Sequence, residues 1–282
     1  MYKHILVCTD GSPHATAALQ YAIGLAKKLD GRVVALHITD IRLLEGPIVT
    51  DFVGAIGAEP YTQLLPRVRE IREQKARVIL DAAAAACRNA GVPCETANPT
   101  GPLVPTMLEF EQQADLVVLG RLGEHAQWAS ETLGSSVERM VRASIKPCLV
   151  VPVEVRPLRH VLLAYDGSAE SHKALLAGTQ LAAALGAKVT LVTVAQPDHE
   201  EAASKVLQEA HRLALRHVPE VHAQLCHGVA EAEILKMVEQ TSADLIVMGA
   251  YGHTRIRELI LGSTTSHVLR RTAVPVLLVR RA

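Results

Sequence analysis

Ile5 to Cys8 is a short run rich in apolar, β-sheet-favouring residues, and Thr9-Asp10-Gly11-Ser12 closes it. That pattern predicts a strand feeding a turn and a capped helix start. Apolar positions then recur at Ala18, Leu19, Ala22, Leu25, Ala26 and Leu29, the spacing of a helix over 15–29. Asp30-Gly31 stops it, and Arg32 to Ile38 reads as a second strand. A long helix is predicted over Arg67 to Ala90, ended by Gly91 and followed by Val92-Pro93. Leu103 to Gln113 reads as a helix with Pro105 in its first turn, where a missing N–H does no harm. Asp115 to Leu119 is an apolar run too short for a helix, and a helix from Ser135 to Ala143 leads into a strand at Cys148 to Val151. Strands alternating with helices predict a parallel sheet covered on both faces.

The pattern occurs twice. Lys3 to Ser12, KHILVCTDGS, matches Arg159 to Ser168, RHVLLAYDGS, at an offset of 156. Ala114 to Gly120, ADLVVLG, matches Ala243 to Gly249, ADLIVMG, at an offset of 129, so the first copy carries 27 more residues in its middle. A period this long predicts two tandem open parallel-sheet domains of Rossmann-like α/β class, over residues 1–153 and 158–282. The extra residues, roughly Leu43 to Pro66, hold Gly46-Pro47, Gly54, Gly57, Pro60 and Pro66. They read as a surface excursion or, alternatively, a lid or partner surface.

Composition narrows the chemistry. The 282 residues hold 29 Lys+Arg and 29 Asp+Glu, so no basic field is available for a nucleic-acid backbone. With 49% apolar residues the chain can bury a core, while 3% aromatics leave few stacking platforms. The five cysteines, Cys8, Cys87, Cys94, Cys148 and Cys226, show no CxxC spacing and suit a reducing compartment. The N-terminal segment meets Asp10 and Gly11 before a signal-peptide core forms, and Gln180 and Lys188 interrupt the most apolar stretch. A soluble cytoplasmic protein, without nucleic-acid or membrane partners, is expected.

In an open parallel sheet, ligands bind beyond the carboxyl ends of the strands at the switch point. Three segments of the second copy converge there: Ala164-Tyr165-Asp166-Gly167, Val194, and the stretch from Met248 and Gly249 to Thr264. Gly249 and Gly252 lie three apart, nine residues follow, and Gly262-Ser263 opens a helix. A helix N-terminus offers unpaired N–H groups and partial positive charge, which suits phosphate. Ser263 and Thr264 add hydroxyls, His253, Arg255 and Arg257 lie in the loop, and Asp166 is placed to accept from a base or ribose. Each feature also has a plain reading, since Gly-x-x-Gly recurs in turns and both Gly-Ser and Asp-Gly-Ser serve as caps. His222 and Cys226, on one face of a predicted strand with His227 opposite, read as ordinary strand residues more readily than as metal ligands. GxSxG, HExxH and P-loop signatures are absent, and no nucleophile–base pair is visible.

Two copies of strand–DGS, ADL[VI]V[LM]G, a glycine loop and a terminal strand resemble the universal stress protein family in its tandem form. The resemblance implies an adenine nucleotide alpha hydrolase-like fold and association through the terminal strands, here an intramolecular pseudo-dimer, with homodimerisation as an option. It implies ATP, with or without Mg2+, as ligand. The family motif G-2x-G-9x-G-[ST] falls on Gly249, Gly252, Gly262 and Ser263, and the adenosine positions on Ala164, Tyr165, Asp166 and Val194. In the first copy the counterparts are Asp10, Ile38, Gly120, Gly123, Gly134, Ser135 and Ser136, but ten residues separate Gly123 from Gly134 and include Glu124, Trp128 and Glu131. Carboxylates beside a triphosphate repel it, so this site is expected to be the weaker. The expected function is nucleotide-dependent regulation in a stress response, dominated by the second copy. The alternatives are a slow ATPase or nucleotidyl-transfer enzyme at the same site, or a non-binding adaptor.

Overall fold

A computed structural model describes residues 1–40, 58–123, 133–196, 198–250 and 261–280, without the side chains of 58–65 and 135. The first copy contains β1 (His4–Cys8), α1 (Pro13–Leu29), β2 (Arg32–Leu36), α2 (Ala58–Ala90), β3 (Cys94–Ala97), α3 (Leu103–Glu111), β4 (Leu116–Gly120), α4 (Ser135–Ala143) and β5 (Cys148–Val151). The second contains β6 (His160–Ala164), α5 (Ala169–Leu185), β7 (Lys188–Ala195), α6 (Glu200–Ala214), β8 (His222–His227), α7 (Ala230–Thr241), β9 (Leu245–Gly249), α8 (Ser263–Arg271) and β10 (Val276–Val279). Two differences from the sequence reading stand out. The short edge strand β3 was not expected, and α2 begins at Ala58, so the last part of the insert is helical with Pro66 inside it. The rest of the insert, 43–57, lies outside the described residues.

The Asp-Gly-Ser turns explain how strand becomes helix in both copies. Gly11 and Gly167 take φ +80 and +81, a backbone region that side chains disfavour. The Ser12 and Ser168 hydroxyls then accept the N–H of Ala15 and Ser171, both at 3.2 Å, capping α1 and α5. At their other ends Asp30 and Gly186 adopt left-handed caps.

The strands form one sheet in the order β3-β2-β1-β4-β5-β10-β9-β6-β7-β8. Within each copy all pairings are parallel, and β10 runs antiparallel to β5 with Leu277 opposite Leu149. Strand alternation sends Ile5, Val7, Val161 and Leu163 to one face, under α1, α2, α5 and α6. It sends Leu6, Leu162, Ile246 and Leu278 to the other, under α3, α4, α7 and α8. Burial of each such leucine contributes about 2 kcal/mol. In each half the connections reverse direction at the central pair, β1/β4 and β6/β9, which leaves a crevice at their carboxyl ends. Among the described residues no helix is long and apolar enough to cross a membrane.

Two arginines tie the halves together beside the β5–β10 seam. Arg121 donates to the carbonyl of Thr272 at the end of α8, and Arg280 donates to those of Arg142 and Ser144 at the end of α4. A cation at a helix C-terminus also meets the negative end of the dipole. Arg121→Ala is expected to destabilise the chain by about 1.5–3 kcal/mol, the range for a hydrogen bond to a charged group. Urea unfolding of the variant checks this, and an unchanged midpoint contradicts it.

Candidate functional site at the end of the second half-sheet

A cavity of about 140 Å3 opens at the carboxyl ends of β6 and β9. Its lining includes Ala164, Tyr165, Asp166, Val194, Met248, Gly249, Gly262, Ser263 and Thr264, all nine chosen from sequence. Gly252, His253 and Arg255 of the candidate set, and Arg257, lie outside the described residues. Ser171, Val192, Ala230, Ile234 and Thr265 also line the cavity and were missed. Ile234 sits on α7, where no local motif in the sequence marks it. Ser171 is visible in retrospect as the residue whose N–H the Ser168 cap engages.

The walls divide by chemistry. Val192, Val194, Ile234 and Met248 form an apolar slot suited to a flat ring. Asp166 stands at its side, with Oδ1 accepting the N–H of Ser168 at 2.9 Å. That aspartate therefore builds the turn as well as facing the cavity. The Tyr165 N–H is used by the carbonyl of Val192 at 2.9 Å, and the Tyr165 ring is buried with its hydroxyl 3.5 Å from His172 Nδ1. Burial, with Glu209 and Asp166 nearby, raises the Tyr165 pKa, so the phenol stays protonated at neutral pH.

At the other end, Gly262 caps α8 with extended backbone and no side-chain cap, and its N–H reaches the carbonyl of Ala250 at 3.4 Å. The first N–H groups of a helix have no intrahelical acceptor, so an anion suits this end. Thr265 donates to the carbonyl of Gly249 at 3.2 Å and pins the helix to β9. Thr264 is turned to a carboxylate, its hydroxyl donating to Glu231 Oε2 at 3.3 Å. The motif's first glycine lines the cavity and also meets a packing need. A Cβ on Gly249 would lie 2.9 Å from Cβ of Glu170 and 3.1 Å from backbone of α5, so glycine there lets helix and strand meet.

The first copy repeats the frame with other side chains. Gly134 caps α4 and its N–H meets the carbonyl of Arg121 at 3.1 Å, the counterpart of the Gly262–Ala250 bond. Asp10 Oδ1 accepts the N–H of Ser12 at 2.9 Å, and a Cβ on Gly123 would lie 2.9 Å from Asp10 Oδ2. Ile38 is partly buried just beyond β2, and Ser136 lies within 3.4 Å of Arg139 Nη2. The Ser135 backbone opens α4, while Glu124, Trp128 and Glu131 lie outside the described residues. Sequence reasoning missed His14 and Arg121 here, which stand where the second copy has Glu170 and Ala250.

His14 Nδ1 is buried without a hydrogen-bond partner among the described residues, and burial, aided by Arg121 and opposed by Asp10, lowers its pKa. Burial also lowers that of His160. Between the lowered folded value and the ordinary value of about 6.5, the unfolded chain binds more protons. Stability should therefore fall as pH drops through about 6.5 and level off once both states are protonated. Urea unfolding at pH 5.5 and 7.5 should show this loss, and His14→Gln should reduce it.

A larger cavity of about 650 Å3 lies between α2 and the ends of β2 and β3, lined by Thr39, Arg69, Glu73, Arg77, Asp81 and Asn98 among others. None of the described residues chosen from sequence lines it. In β8, Cys226 is buried while His222 is exposed, and His227 Nε2 faces Glu200 at 3.5 Å.

A model of the universal stress protein family matches residues 1–152 and again 157–280. The chain belongs to the universal stress protein family. It is 36% identical over 288 residues to Universal stress protein Slr1230 of Synechocystis sp., an alignment covering 99% of this chain and 100% of that one. A Thermus aquaticus universal stress protein is 35% identical over 133 residues, 43% of this chain and 97% of its own. The crystal structure of a universal stress protein from Archaeoglobus fulgidus superposes with a TM-score of 0.76 over 100% of both chains at 23% identity, a similarity of fold.

Proposed function

We propose that this universal stress protein binds ATP in the second-copy cavity and acts as a nucleotide-dependent regulatory protein of the cytoplasm, built from domains at 1–153 and 158–282. The observation that carries the reading is the single cavity where Asp166, the slot residues Val194 and Met248, and the α8 start at Gly262 meet. The apolar slot suits an adenine ring, the Asp166 carboxylate suits ribose hydroxyls, and the uncapped α8 N-terminus suits phosphates. At 140 Å3 the cavity is smaller than the roughly 300 Å3 typical for a whole ligand, so the proposal seats part of the nucleotide inside it and the phosphates outside, toward the helix start. Glu231 beside Thr264 adds negative charge near that start. Mg2+ accompanying ATP would offset it, so tighter binding with Mg2+ is part of the proposal.

Asp166→Asn keeps an oxygen for the Ser168 N–H and removes the charge. Losing a charged hydrogen bond to ribose is expected to weaken ATP binding roughly tenfold or more. Titration calorimetry with ATP and Mg2+ reads it. Equal affinity for variant and wild type would remove Asp166 from the site.

A further inference from the structure

We propose that the cavity between α2 and the ends of β2 and β3 is a second ligand site, and that it takes a short peptide in its zwitterionic form. Its volume of about 650 Å3 lies inside the range of roughly 300–1,000 Å3 usual for small-molecule sites. Both of its walls change character at the same level. On α2, Ala76 and Leu80 are buried against the sheet, and Arg69 and Glu73 stand two turns before them on the same face. On the sheet, Val33, Ala35 and Cys94 pack beneath α2, and farther along that face come Thr39, Thr96, Asn98 and Thr100. Apolar surface meets apolar surface first, and beyond it polar groups face polar groups across an open gap. The second copy does not share this lining. Thr39 pairs with Thr100 as Ala195 pairs with His227, so Thr39, Thr96 and Asn98 correspond in register to Ala195, Ala223 and Leu225. Ala195 is buried there, and Ala223 and Leu225 pack against the core. The fold alone therefore does not call for hydroxyls and an amide at these positions.

Charge selects the ligand. Arg69, Glu73, Arg77 and Asp81 follow one another at four-residue steps, so positive and negative groups alternate about every 6 Å along α2. With two of each sign, the lining disfavours a polyanion such as a nucleotide and suits a molecule carrying one charge of each sign. Glu201–Lys205 on α6 and Glu233–Lys236 on α7 close ion pairs, whereas Glu73 and Arg77 form none with each other among the described residues. Their charges are open to an ammonium and a carboxylate. The termini of an extended dipeptide lie about 7 Å apart, close to the Glu73–Arg77 step, whereas those of a free amino acid share one carbon. The ammonium end then meets Glu73 and the carboxylate end the Arg77 guanidinium, with the Thr96 hydroxyl and Asn98 amide left for the peptide group between them.

Isotope-labelled full-length protein is titrated with alanyl-alanine and followed by its amide chemical shifts. The expected result is saturable movement of the Thr39, Thr96, Asn98 and Thr100 amides. Free alanine, and N-acetyl-alanyl-alanine amide, which lacks both charges, should bind about tenfold more weakly or worse. Arg77→Gln and Glu73→Gln, at exposed positions of the helix, should each weaken alanyl-alanine about tenfold, the loss of one charge-assisted hydrogen bond. No saturable shift at these amides, equal binding of the uncharged peptide or of alanine, or unchanged affinity in either variant would each overturn the proposal.

Discussion

Replacing Gly262 by aspartate is expected to weaken ATP binding about a hundredfold while leaving the fold in place. Gly262 is the N-cap of α8, at φ −53 and ψ 142, a conformation open to any residue. Aspartate is a favoured N-cap, so its carboxylate would accept the same helix N–H groups that the proposal gives to phosphate. It would also place a negative charge beside the phosphate chain. Loss of one or two charged hydrogen bonds, about 3 kcal/mol in all, corresponds to that factor. The matching substitution at Gly134, the N-cap of α4, is expected to matter less, because the first-copy loop carries Glu124 and Glu131 and one more residue. Calorimetry on both variants separates the halves. A larger loss from Gly134→Asp would move the working site to the first copy.

Gly120→Ala is expected to cost about 3 kcal/mol of stability, the upper part of the range for overpacking. A Cβ there would lie 2.6 Å from the carbonyl carbon and 2.7 Å from the oxygen of His14, both backbone atoms in the first turn of α1. Backbone cannot step aside as a side-chain tip can, so α1 must move off the end of β4. For a domain of this size the melting temperature should fall by roughly 6–12 °C. Gly249→Ala should do less harm, since its nearest neighbour is the Cβ of Glu170 at 2.9 Å. Differential scanning calorimetry of the two variants gives the comparison, and equal, negligible shifts would contradict the packing argument.

The parts of the fold that sequence reveals are those where one local signal dominates. The apolar runs of β1 and β5 and the Ser12 and Ser168 caps are such signals, and α4 and β5 have the bounds expected of them. β3 lacked one. Its residues Cys94-Glu-Thr-Ala97 are half-buried or exposed at a sheet edge, so no apolar run marks them, and only pairing with β2 makes them a strand. The start of α2 was hidden by Pro66, because a proline removes a helical N–H and normally ends a helix.

The candidate site divides in the same way. Gly262 and Asp166 stand out because glycine before a hydroxyl-rich helix start and aspartate after a strand are local patterns. Ile234 and Glu231 come from α7, which tertiary packing alone brings to the crevice, while Thr265 sits one residue past the chosen Thr264. Gly249 shows a further limit of local patterns. The motif marks it and it lines the cavity, but the first turn of α5 packed against it is a second reason for its missing side chain that no local pattern reveals.

The central claim is that the second-copy cavity holds an adenine nucleotide. Its most direct test is to denature purified full-length protein and identify any nucleotide released, then to titrate the emptied, refolded chain with ATP and Mg2+. The account predicts an adenine nucleotide in the released fraction and calorimetric binding dominated by one strong site per chain that Gly262→Asp removes. No released nucleotide, together with no heat of binding at millimolar ATP, would contradict it.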